Sequence, residues 1–143
     1  MNSNDRSPEH IKADTFSLDE AIGAGNLTDV LHYIPLADPT YLSKALWWAS
    51  ACGFIEAVTA LVAVCNPQDY SMALAEALFN KKHDVVELLC PITNLDETIL
   101  YLQEHPYHFK EEISFLEEYK AQEQHKRLSA EITEGHAERS KKL

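Results

Sequence analysis

The chain has 143 residues, of which 23 are acidic and 12 basic, giving a formal charge of −11, and 45% are apolar. That is enough for one domain with a packed core, and the acidity argues against a nucleic-acid ligand, whose phosphates need a basic surface. Four glycines and six prolines argue against a loop-rich or all-β design, so the expected class is all-α.

Taken in order, the opening MNSNDRSPEHIKADTF contains no apolar run and so no secretory signal. No later stretch is apolar for long enough to cross a bilayer. SPEHIKADTF predicts a short capping turn with Ser7 as N-cap and Pro8 in the first helical position, so residues 1–14 read as a cap or lead. From Thr15 the sequence repeats with a step of 28: Leu18, Leu46, Leu74; Ala21, Ala49, Ala77; Val30, Val58, Val86.

Each unit reads as helix, turn, helix, loop. Thr15, Ser43 and Ser71 stand where an N-cap oxygen would serve, with Ser17 and Glu20 offering a competing capping box in the first unit. Gly25 and Gly53 follow the first helices at a turn that wants a left-handed backbone. Lys81 stands there in the third unit, with Asn80 beside it as an alternative holder of that conformation. The second helices are apolar at spacings of three and four, and Asp38-Pro39 and Asn66-Pro67 then break the chain. DETILYLQEH predicts a helix with Ile99 and Leu102 inward, ended by Pro106. A longer helix with Ile113, Leu116 and Tyr119 on its buried side comes next. Residues 96–119 offer a degenerate fourth unit, and 120–143 read as a charged, solvated helix fraying into a disordered tail.

These residues carry a resemblance. ALWWASACGFIEAVTALV resembles the helical part of an ankyrin repeat, whose pattern runs TPLHxAAxxGHxxVVxLLL. Lys44 to Trp47 take the TPLH positions, Ala49-Ser50 the paired alanines, Gly53-Phe54 the Gly-His and Val58 the valine. Met72 to Leu89 is similar, and the first unit is similar more weakly. The resemblance implies an ankyrin-like helix-turn-helix solenoid of three to four repeats with helical caps, its repeat domain over residues 15–119. The step of 28 is shorter than the family's usual repeat of about 33, and the missing residues fall where the family builds its projecting hairpin.

In such an array the first helix of each unit has one face open to a groove. With Leu46, Ala49 and Gly53 taken as inward, Trp47 falls on a flank between units, and Trp48 and Ala51 face the groove. The 28-residue step then predicts a partner-binding surface of Glu20, Trp48, Ala51, Glu76 and Phe79, with Gly23 on its floor and Tyr41 and Tyr70 on its rim. Residues 17–100 hold eleven acids and three bases, a net of −8 (3 − 11). Aromatic residues among acids suit a protein with exposed Arg or Lys.

No constellation for catalysis stands out. The histidines are scattered, HPYH at 105–108 surrounds a proline, and no glycine-rich phosphate loop is present. Cys52, Cys65 and Cys90 form no CxxC pair and read as reduced thiols. The expectation is a cytoplasmic, non-enzymatic binding protein without cofactor, metal, nucleic-acid or membrane partner. One role is an acidic inhibitor or immunity-type protein covering a basic surface. The others are an adaptor using the repeats and the C-terminal helix, and a self-associating structural protein.

Overall fold

The computed structural model describes residues 6–105 and 109–141, and these are all-helical, with no strand among them. Among the described residues eight α-helices follow one another: α1 (Pro8–Ala24), α2 (Leu27–Tyr33), α3 (Leu42–Cys52), α4 (Ile55–Val62), α5 (Tyr70–Phe79), α6 (His83–Leu89), α7 (Leu95–Glu104) and α8 (Lys110–Lys141). The chain divides into two compact units, residues 1–101 and 102–143.

In the first unit the helices work in pairs, α1 on α2, α3 on α4 and α5 on α6. The first members also pack side by side, α1 on α3 and α3 on α5, as do the second members, α2 on α4 and α4 on α6. The 28-residue step is therefore a step in space as well as in sequence. Leu18, Leu46 and Leu74 are each fully buried, and Ala21, Ala49 and Ala77 sit in the core beside them. Val30, Val58, Leu61, Val86 and Leu89 answer from the second helices. Small alanines opposite branched side chains let two helices approach closely without a void.

The turn inside each pair has the same hand. Gly25 and Gly53 adopt φ of 71° and 74°, and at the matching position Lys81 adopts φ of 57°. Asn80 does not take the strained conformation; its φ is −89°. After α3 the Gly53 N–H donates to the Ser50 carbonyl and the Phe54 N–H to the Ala49 carbonyl, closing the helix end. The lysine accepts the cost of a Cβ in left-handed backbone because the Lys82 N–H makes the corresponding bond to the Ala77 carbonyl at 2.8 Å.

The helix starts differ from the expected caps. Ser7 does cap α1, accepting the His10 N–H at 3.3 Å with Pro8 next in line. The helix then runs unbroken through Thr15, so the expected short turn and first repeat helix are one element. The Thr15 hydroxyl donates to the Ile11 carbonyl and accepts the Asp38 N–H at 2.8 Å, tying the following loop to α1. Ser43 and Ser71 also lie inside helices. Pro39 and Pro67 each open a 3-10 turn that starts the coil earlier. Capping passes to Asp38, which accepts the Thr40 N–H at 2.9 Å, and to Asn66, which forms a capping box with Asp69, whose carboxylate accepts the Asn66 N–H. Arg6 pairs with Asp14 and donates to the Leu36 carbonyl at 2.7 Å, a second tie between α1 and that loop.

In the second unit Leu102 and Leu116 are buried, and every residue from 121 to 135 is exposed. The helix nevertheless continues to Lys141, further than the sparse apolar pattern predicts. Pro106, expected to end α7, lies outside the described residues.

The open face of α1, α3 and α5

Two tryptophans stand side by side in α3, about 100° apart around its axis. Ala45, Leu46, Ala49 and Ser50 turn inward and are buried. Directly opposite lie Lys44 and Ala51, with Trp47 and Trp48 about 50° to either side of the outward direction. The expectation that Trp47 packs between units and only Trp48 faces outward took Leu46, Ala49 and Gly53 as the inward side. Those three residues and the four buried ones share nearly the same inward direction, and Trp47 and Trp48 both lie about 130° from it, so both rings reach the open face.

Their surroundings differ. Trp48 is half-buried and leans on α1: a Cβ placed on Gly23 would meet its Cζ2 and Nε1 at 3.7 and 3.8 Å. Its indole N–H is buried without a hydrogen-bond partner. Trp47 is 37% exposed and is the ring more open to solvent. Beside it a cleft of about 520 Å³ is lined by Asp19, Tyr41, Trp47, Trp48, Asp69 and Met72. A second cleft adjoins it between α1 and the 38–41 turn, with Ile11, Phe16 and Asp38 in its lining, and shares Asp19, Tyr41 and Lys44 with the first.

The clefts have fixed walls. The Tyr41 hydroxyl donates to the Asp19 carboxylate, which bonds the turn before α3 to the face of α1. Partial burial first, and the Asp19 bond second, hold the Tyr41 hydroxyl neutral to well above its ordinary range. The two Thr40 bonds to Asp38, backbone N–H and then hydroxyl, lower that carboxyl's pKa and keep it charged. Apolar side chains carried on these walls remain open to solvent: Phe16 is 62% and Met72 48% exposed.

Of the residues expected from the sequence, Trp48 and Tyr41 come together in one cleft. Glu20 is exposed on α1, and Ala51 and Glu76 are half-buried on the open faces of α3 and α5. Phe79 is 56% exposed at the end of α5. The Glu76 charge adds to the effect of burial in raising the Tyr101 pKa. Tyr70 does not rim the groove. It is 7% exposed and its hydroxyl donates to the Val62 carbonyl at 2.8 Å, which makes it an anchor of its own loop. The sequence reading missed Phe16, Asp19, Lys44, Trp47, Asp69 and Met72. A signal was present, because Phe16, Lys44 and Met72 stand one repeat step apart at the outermost position of each first helix.

Among the described residues no three of His, Cys, Asp or Glu gather in a metal-holding group, and His108 of HPYH lies outside them. No helix among them is long and apolar enough to cross a membrane. Burial raises the pKa of Cys65 and Cys90 to about 11, and that of Cys52 also moves up. Compared with protein-family models, curated proteins and solved structures, the chain matches none.

Proposed function

We propose that the chain is a divergent, shortened ankyrin-like repeat protein that binds another protein through the open face of α1, α3 and α5 and catalyses nothing. The observation that carries this reading is the exposure of Phe16, Trp47 and Met72 on rigid helices around adjoining clefts. Large apolar side chains on a monomer's surface are ordinary when scattered, whereas a cluster rimmed by charge marks an interaction site. Three helix pairs with the same core positions and the same left-handed turns support the repeat assignment.

The partner presents a basic surface. Residues 1–101 hold fourteen acids and five bases, a net of −9 (5 − 14), which speeds encounter with a cationic protein and makes it sensitive to salt. Covering such a surface on an enzyme or toxin is the inhibitor or immunity-type role. The exposed length of α8 favours a second role, an adaptor in which the repeats hold one protein and α8 another.

The test is capture from a lysate of the native host, comparing wild type with a Trp47→Ala, Met72→Ala protein of equal melting temperature. A basic protein retained by wild type and lost by the variant supports the reading. Identical retained proteins, from two equally folded baits, refute it.

A further inference from the structure

The open face offers a partner side chains only, and this restricts the segment it can hold; the inference rests on the binding reading above. Main-chain N–H and C=O groups along α1, α3 and α5 are spent within those helices. An extended segment laid across them would find none of the ladder bonds that a sheet edge provides. A helix arrives with its own backbone bonds made and needs only pockets for its side chains.

The spacing fits such a helix. The two clefts share Asp19, Tyr41 and Lys44 and are offset by one helix pair. Packed neighbouring helices are about 8–10 Å apart. Seven residues of α-helix rise about 10.5 Å and return to nearly the same face. Two apolar side chains seven apart would therefore enter the two clefts together, one against Phe16 and the other against Trp47 and Met72. The charge around them is unequal. The clefts are lined by the carboxylates of Asp19, Asp38 and Asp69 and the ammonium groups of Lys12 and Lys44, a net of −1 (2 − 3), and Glu20 and Glu76 add two more carboxylates on α1 and α5.

We infer that the partner's contact element is a basic amphipathic α-helix lying across α1, α3 and α5. Two apolar anchors at i and i+7 fill the clefts, and its Lys and Arg side chains face the carboxylates. A second copy of this chain is a poorer occupant, because residues 1–101 repel their like, and self-association is an outcome of the test.

The probes are three synthetic peptides of about 18 residues, long enough to cross the three helices at about 1.5 Å per residue. The first carries leucines at i and i+7 on a background of Ala, Gln and Lys. The second has the same composition with leucines at i and i+5, on different faces. The third replaces every Lys of the first with Glu. Each is titrated against the full chain by tryptophan emission, with helix gain followed by circular dichroism and the chain's mass by sedimentation. The first should bind at least about tenfold tighter than either control, gain helicity, and lose about tenfold with the Trp47→Ala, Met72→Ala protein. Equal binding of the first and second would reduce the interaction to diffuse charge and overturn the inference, as would no binding, or a dimer that buries Trp47. If the lysate partner is retained while the first peptide fails, the helix inference alone falls and the binding reading stands.

Discussion

Three structurally matched turns carry three different local costs, and that difference predicts stability. Gly25, Gly53 and Lys81 occupy the same left-handed position, one repeat step apart. A side chain there costs about 1–2 kcal/mol, while glycine loses about 0.5–1 kcal/mol of chain entropy instead. Lys81→Gly should therefore stabilise the chain by about 0.5–1 kcal/mol. Gly25→Ala should destabilise it by about 1 kcal/mol from backbone alone, because a Cβ at Gly25 would meet nothing within 4 Å. Gly53→Ala adds a contact, since its Cβ would lie 2.8 Å from the Lys82 Cδ and 3.3 Å from Cε. That lysine is flexible, so the addition is a few tenths of a kcal/mol, and a Lys82→Ala background should remove it. Urea unfolding followed by helical circular dichroism reads all of these as shifts in midpoint at constant slope. A destabilised Lys81→Gly, or a neutral Gly25→Ala, would refute the equivalence of the three turns.

Ser50 is fully buried with its hydroxyl unpaired, and Ile22 and Leu78 stand at its matched positions. Ser50→Ala should raise stability by about 0.5–1 kcal/mol in the same unfolding assay. Tyr41 has a folded-state pKa raised above its ordinary value of 10.0, so its contribution is complete below that value. It is lost as pH climbs above 10.0 toward the folded pKa, because the unfolded chain then sheds the proton first. Tyr41→Phe should lower stability at neutral pH by about 0.5–1.5 kcal/mol and flatten the decline on the alkaline side, read by urea midpoints from pH 7 to 11. Iodoacetamide at pH 8 should label the exposed Cys52 first, while buried Cys90, its pKa about 11, reacts only after unfolding; peptide mapping by mass checks the order.

Much of the helical core was legible because burial follows a fixed step. Leu18, Leu46 and Leu74 announce one buried position three times, and Gly25 and Gly53 mark two of three turns. Helix starts were less legible. Ser43 and Ser71 look like N-caps locally, but Pro39 and Pro67 begin a 3-10 turn ahead of them, and Asp38 and Asn66, just before those prolines, cap it instead. Thr15 departs from the cap pattern for a related reason: its hydroxyl accepts the Asp38 N–H, 23 residues on, and no local pattern encodes that.

The site was legible only in part. Trp48 follows from the repeat step and helical angle and Tyr41 from its short loop, and both line the cleft. Trp47 and Trp48 stand at nearly equal angles from the inward side of α3, so helical angle alone does not separate a flank from the open face; the exposure of Trp47 does. A loop tyrosine such as Tyr70 reads as available, whereas its hydroxyl reaches back eight residues to the Val62 carbonyl and draws the ring inward. Asp69 enters the cleft from the 3-10 turn before α5, and Asp19 from the face of α1, where the Tyr41 hydroxyl bonds it; no local pattern encodes either.

Whether the partner sits on the open face can be read from the quenching of a single tryptophan. In a Trp48→Phe protein the remaining emission comes from Trp47, which is 37% exposed and should be quenched readily by acrylamide. Saturation with the captured partner should cut that quenching severalfold and shift the emission to shorter wavelength. Unchanged quenching of Trp47 in a stoichiometric complex would move the interface elsewhere on the chain.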